Sequence, residues 1–160
     1  MGELQQLLAG VELVMLATRG PHGLPVSRPL QLLQVDSAGA LWFFTSAASA
    51  KVAEIRADAR VSVAYADPAN KFFLAISGEA QIVVDRARID AMWTLAQTIF
   101  FPQGREDPSL VLLKVTPAEA RYWDGNESIL GVLLKFGKAV LRNEASDLGH
   151  SGRIDLGGED

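Results

Sequence analysis

Strand-length apolar runs recur along this chain at short intervals, and segments of helical period are inserted between them rather than alternating with them. Residues 11–18, 26–35, 41–45, 61–65, 71–84, 110–115 and 120–123 each read as extended. Turns rich in Gly, Pro and Asp punctuate them: "RGPHGLP" (19–25), "DSAG" (36–39) and "ADPAN" (66–70). A doubly wound parallel sheet needs a helix after nearly every strand. Six or seven strands at this spacing instead predict an antiparallel barrel or sandwich, mainly β with a few helices. Those helices are expected over 3–9, 49–57, 85–96 and 128–138. Gly78, in the middle of the longest run, marks a bulge or a close backbone approach, and Asp85 is placed to cap the helix that follows.

Composition narrows the function. The chain has 160 residues, 49% hydrophobic and 21% charged, which suits one globular domain. The domain is expected over residues 1–149, with a polar, Gly-rich tail, or an arm lying on something, over 150–160. A net charge of −4 with scattered Arg and Lys argues against nucleic acid as a partner. No apolar run reaches membrane-span length and no secretory signal pattern stands at the N-terminus. Zero cysteines exclude thiol chemistry and fit a cytoplasmic setting. His22 and His150 lie singly in Gly-flanked segments, so no metal site is expected, and no Gly-rich dinucleotide fingerprint occurs.

One joint carries recognisable chemistry. In "LWFFTSAASAKVAEI" (41–55) an aromatic strand hands over to a helix, with Thr45, Ser46, Ser49 and Lys51 at the join. A helix start offers unpaired backbone N–H groups and partial positive charge, a ready site for phosphate. The same residues also read as an ordinary capped helix with a solvated lysine. "VSRPL" (26–30) adds Ser27 and Arg28 in an apolar strand, with Pro29 removing a ladder donor. Arg28 suits a forked contact to phosphate, or equally a strand-surface ion pair. Phe44, Phe72 and Phe73 read most economically as core or wall residues, whereas Tyr122 and Trp123, adjacent at a strand end, cannot both face the core.

Taken in order, "SRPL", "LWFFTSAASAKVAEI", "ISGEA", "FFPQGREDPSL" and "ARYWD" resemble the pyridoxamine phosphate oxidase-like flavin-binding family, in its general-stress-protein branch. That resemblance implies a split β-barrel homodimer with FMN at the subunit interface. It implies that Arg28 and Lys51 hold the FMN phosphate, with Thr45, Ser46 and Ser49 nearby. Ser27, Pro29, Leu30 and Phe44 would border the flavin, and Phe73 would lie on the neighbouring strand. Phe101 and Trp123 would approach from the partner subunit. The chain departs from the branch at Arg121, where an acidic residue is common, and at Gln103–Gly104, where Gly-Gly is common. It lacks the longer C-terminal segment of true pyridoxamine phosphate oxidases, so oxidation of that substrate is not expected. The implied activity is an FMN-dependent oxidoreductase on a small substrate; a non-catalytic flavin-binding stress protein is the alternative.

Overall fold

A computed structural model of the chain describes residues 2–125 and 150–156; the helix expected over 128–138 lies outside them. Helix α1 (Glu3–Leu7) precedes strands β1 (Leu13–Arg19), β2 (Pro25–Gln31), β3 (Gln34–Val35) and β4 (Leu41–Ser46). Helix α2 (Ala50–Ala57) follows, then β5 (Arg60–Asp67), β6 (Phe72–Val83), α3 (Arg86–Met92), a 3₁₀ turn (Leu95–Ile99), β7 (Leu110–Asp124) and β8 (His150–Asp155). The sheet runs β2-β1-β5-β6-β7-β4-β3, with β8 also on β7, and every ladder is antiparallel. The curled sheet is split: β2 approaches β4 without pairing to it.

The aromatic strand β4 is buried on both faces, which is why its sequence is continuously apolar rather than alternating. Leu41 and Phe43 enter the main core with Leu16, Val63, Ile76 and Leu113. Trp42 and Phe44 enter a second cluster with Ile89, Leu110 and Leu112 beneath α3. Burying Phe43 completely contributes about 2–3 kcal/mol. Helix α2 closes the barrel end by burying Val52 and Ile55. Asp85 caps α3 as expected, accepting from the Arg88 N–H at 3.1 Å.

Two expectations change. The run 26–35 is two strands, because the chain switches partner: the Leu32 N–H donates to Glu12 on the β1 side, and the Leu33 N–H donates to Trp42 of β4. The two strands expected over 110–115 and 120–123 are one, β7. Pro117 is tolerated there because it faces Gly78, where the ladder slips by a residue. A Cβ on Gly78 would stand 2.2 Å from the Thr116 carbonyl oxygen, so only glycine fits. Of the two forms expected for the C-terminal segment, residues 150–155 take the arm, β8, which lies along β7 beyond the end of β4. Gly152 in β8 leaves room for the Tyr122 ring, whose hydroxyl oxygen would be 2.3 Å from a Cβ there.

Candidate functional site at the split between β2 and β4

The gap between β2 and β4 is a cavity of about 440 Å³. Its walls include Leu13, Pro29, Leu30, Leu33, Phe44 and Phe101, and its polar end is formed by Thr45, Ser46 and Lys51. The β3–β4 ladder stops at Trp42, so the strand end from Phe44 to Ser46 faces the gap. Phe44 is buried to 4% exposure and meets Trp93 at 5.7 Å and Phe101 at 6.1 Å between ring centroids. The loop after Phe101 is tied down by Arg86, which donates to the carbonyls of Arg105 and Asp107.

The start of α2 is built unlike an ordinary cap. Ser49 occupies the N-cap with extended backbone, yet its hydroxyl does not cap the helix. It donates instead to the Ser46 carbonyl at 2.7 Å and lies 3.3 Å from the Thr45 hydroxyl. The first-turn N–H groups are therefore left without a side-chain acceptor at the positive end of the helix. Lys51 Nζ donates to Thr45 Oγ1 at 3.0 Å, keeping the ammonium beside that end. Burial, then the Arg28 charge, pulls the Lys51 pKa below the ordinary lysine value, with Glu54 pulling it back. A bound anion would oppose both downward influences by favouring the charged form.

Arg28 lies under α2 with its side chain 20% exposed. Its Nη1 donates to Thr18 Oγ1 at 2.7 Å and to the Leu16 carbonyl at 3.4 Å, and its Nη2 reaches Glu54 Oε1 at 3.4 Å. Thr18, buried to 2%, donates in turn to Glu54 Oε2 at 3.0 Å. The guanidinium is thus fixed by a buried network, and one carboxylate faces two cations. Thr18 and Glu54 escaped sequence reasoning. Thr18 is a single hydroxyl at an inward strand position, and Glu54 three residues after Lys51 reads as a solvated helix pair.

The structure brings Pro29, Leu30, Phe44, Thr45, Ser46, Lys51 and Phe101 to one cavity, with Arg28 and Ser49 bordering its polar end. Ser27 is exposed on the face of β2 opposite Arg28. Phe101, expected from a partner subunit, already meets Phe44 of its own chain. Phe73 and Trp123 are cross-strand partners at the other end of β6 and β7. Trp123 is eleven residues beyond Leu112, the partner of Phe44, which is about 35 Å along a strand. Within one chain they do not reach the cavity. Tyr122, the neighbour of Trp123, is core, at 2% exposure. Among the described residues no group of three His, Asp or Glu could hold a metal, and no helix is long and apolar enough to cross a membrane.

The model of the family described as pyridoxamine 5'-phosphate oxidase like matches residues 1–147. The chain belongs to this pyridoxamine 5'-phosphate oxidase-like family. Among curated proteins none matches. The general stress FMN/FAD binding protein of Xanthomonas citri is similar at 29% identity, over 92% of this chain and 99% of that one, with a TM-score of 0.66. General stress protein 26 of Bacillus anthracis shares 21% identity over 74% of this chain and 89% of its own, with a TM-score of 0.64. A Clostridium acetobutylicum protein related to general stress protein 26 of Bacillus subtilis shares 24% identity over 74% of this chain and 84% of its own, with a TM-score of 0.67. The fold is accordingly the split barrel of pyridoxamine 5'-phosphate oxidase-like proteins, with the cavity at the split.

Proposed function

We propose that the protein binds FMN, with the phosphate at the start of α2 and the ring in the β2–β4 cavity, and acts as a flavin-dependent oxidoreductase on a small substrate. One observation carries this: two partly buried cations, Lys51 and Arg28, flank a helix start that has no side-chain cap and three hydroxyls around it. Membership of the pyridoxamine 5'-phosphate oxidase-like family supports it, as does likeness to the Xanthomonas citri protein described as FMN/FAD binding.

The residues present fit the group. Lys51 and Arg28 would hold the phosphate, and Thr45, Ser46 and Ser49 would offer hydroxyl donors. Pro29, Leu30, Phe44 and Phe101 would exclude water and fix the ring's plane. When bound, the flavin supplies the electron-carrying chemistry, and the protein supplies position and electrostatics. Lys51 is the one titratable side chain among the described residues lining the cavity. That favours a second reading, a flavin-binding stress protein without turnover, because no side chain there is built to move a substrate proton.

The proposal includes a homodimer. Leu13, Met15, Leu95, Ile99 and Phe100 are exposed large apolar residues, and two of them, Leu13 and Phe100, also line the cavity. A second copy covering them would bring Trp123 of the partner subunit towards the ring. Light scattering should give twice the chain mass; a monomer contradicts this part. The absorption spectrum of freshly purified protein tests the cofactor: flavin bands are expected, and a colourless protein that does not quench added FMN fluorescence overturns the proposal. Anaerobic mixing with NADH or NADPH separates the two readings, since bleaching of the flavin supports the oxidoreductase. No bleaching with either nucleotide, together with no anaerobic return of colour when small acceptors are added to the dithionite-reduced protein, leaves the binding protein.

A further inference from the structure

The 3₁₀ turn Leu95–Ile99 has its polarity inverted. Leu95, Ile99 and the following Phe100 are 88%, 79% and 60% exposed, whereas Gln97 is 4% exposed and lines the β2–β4 cavity. A turn shaped only by its own packing would bury the apolar side chains and leave the glutamine in water. Gln97's hydrogen bonds among the described residues are made by its backbone, from its N–H to Thr94 and from Phe100 and Phe101 to its carbonyl. Its carboxamide has no such partner. A second glutamine, Gln31 at the end of β2, lines the same cavity, and its Oε1 is buried with no hydrogen-bond partner. Buried polar atoms are nearly always paired, so the unpaired Gln31 Oε1, with the Gln97 carboxamide lining the same cavity, points to a ligand that completes them.

We infer that Gln31 and Gln97 read the polar edge of the bound ring, Gln31 accepting from a ring N–H and Gln97 donating to an adjacent ring carbonyl. A carboxamide carries a donor and an acceptor side by side, and a half-turn about its last torsion exchanges them. It therefore matches a ring edge where N–H and C=O alternate, and rejects an equally flat apolar aromatic, whose binding leaves the amides unpaired. The ligand class is a planar heteroaromatic with an imide edge. This rests on the flavin reading above: the pyrimidine edge of a flavin has N3–H between two carbonyls. It goes further by assigning ring recognition to two side chains remote from the phosphate end.

The test compares riboflavin with N3-methylriboflavin, which lacks that N–H, on the full chain and on Gln31→Leu and Gln97→Leu, by flavin-fluorescence quenching. Wild type should prefer riboflavin by about tenfold. Gln31→Leu should abolish the preference, and Gln97→Leu should weaken both ligands about tenfold alike. Without ligand, both variants should melt no lower than wild type, because neither carboxamide makes a side-chain hydrogen bond among the described residues that the leucine would lose. If Gln31→Leu keeps the preference, or Gln97→Leu binds riboflavin as wild type does, the inference is overturned. So it is if the affinity losses come with a lowered melting temperature, which marks the amides as packing. Failure of wild type to bind any flavin would instead overturn the flavin reading itself.

Discussion

Replacing Lys51 by Met keeps the aliphatic stem and removes the ammonium, so it isolates the charge at the start of α2. A charge-assisted hydrogen bond is worth about 1.5–3 kcal/mol, or about ten- to a hundredfold in affinity. Lys51 is only half-buried, and solvent screening places its loss near the lower end, about tenfold for FMN. Riboflavin, without a phosphate, should change by less than about twofold. The ligand-free protein supplies a second signature. Burial and the Arg28 charge lower the Lys51 pKa below 10.5, so the folded chain loses this proton before the unfolded chain does. Between the folded value and 10.5 the unfolded state binds more protons, and stability rises with pH across that window. Lys51→Met should lack this rise. Fluorescence quenching by FMN and riboflavin at pH 7, with chemical denaturation from pH 7 to 11, reads both effects. Equal losses for the two flavins would refute the phosphate assignment, and an unchanged pH dependence would refute the electrostatic one.

Three further outcomes follow from the same geometry. Glu54→Gln leaves two cations facing no carboxylate, so FMN should tighten several-fold at low salt, with the gain shrinking as salt rises and riboflavin unaffected. Asp36 is pulled up by burial, but the Trp42 indole N–H and the Ala40 and Ala38 N–H groups hold its pKa below 3.8 overall. Its contribution is present above pH 3.8 and lost as pH falls through the folded value, so Trp42→Phe should unfold at higher pH in an acid titration followed by circular dichroism. Gly78→Ala forces a Cβ against the Thr116 carbonyl and should cost about 1–3 kcal/mol in urea denaturation; a neutral result would contradict the packing of the bulge.

Much of the barrel could be read from periodicity because its strands are antiparallel and most are bounded by Gly, Pro or Asp. Gly78 announced a bulge or a close approach, and the structure has both, the approach being to Thr116. Pro117 misled, since a proline reads as a strand break unless its partner strand is known to slip opposite it. The cluster at the start of α2 was legible because Lys51 and three hydroxyls are local in sequence. The network that fixes Arg28 was not, because Thr18 and Glu54 are 10 and 26 residues from it and meet it only through folding. Gln31 and Gln97 were invisible for another reason: a glutamine in a strand or turn is usually solvated, and only the buried Oε1 of Gln31 and the burial of Gln97 set them apart.

A crystal structure of the protein grown with FMN tests the central claim most directly. The phosphate is expected within hydrogen-bond distance of Lys51 Nζ, the Arg28 guanidinium and the first-turn N–H groups of α2, with the ring between β2 and β4. A phosphate bound elsewhere, or Lys51 and Arg28 turned from it while FMN is present, would contradict the claim.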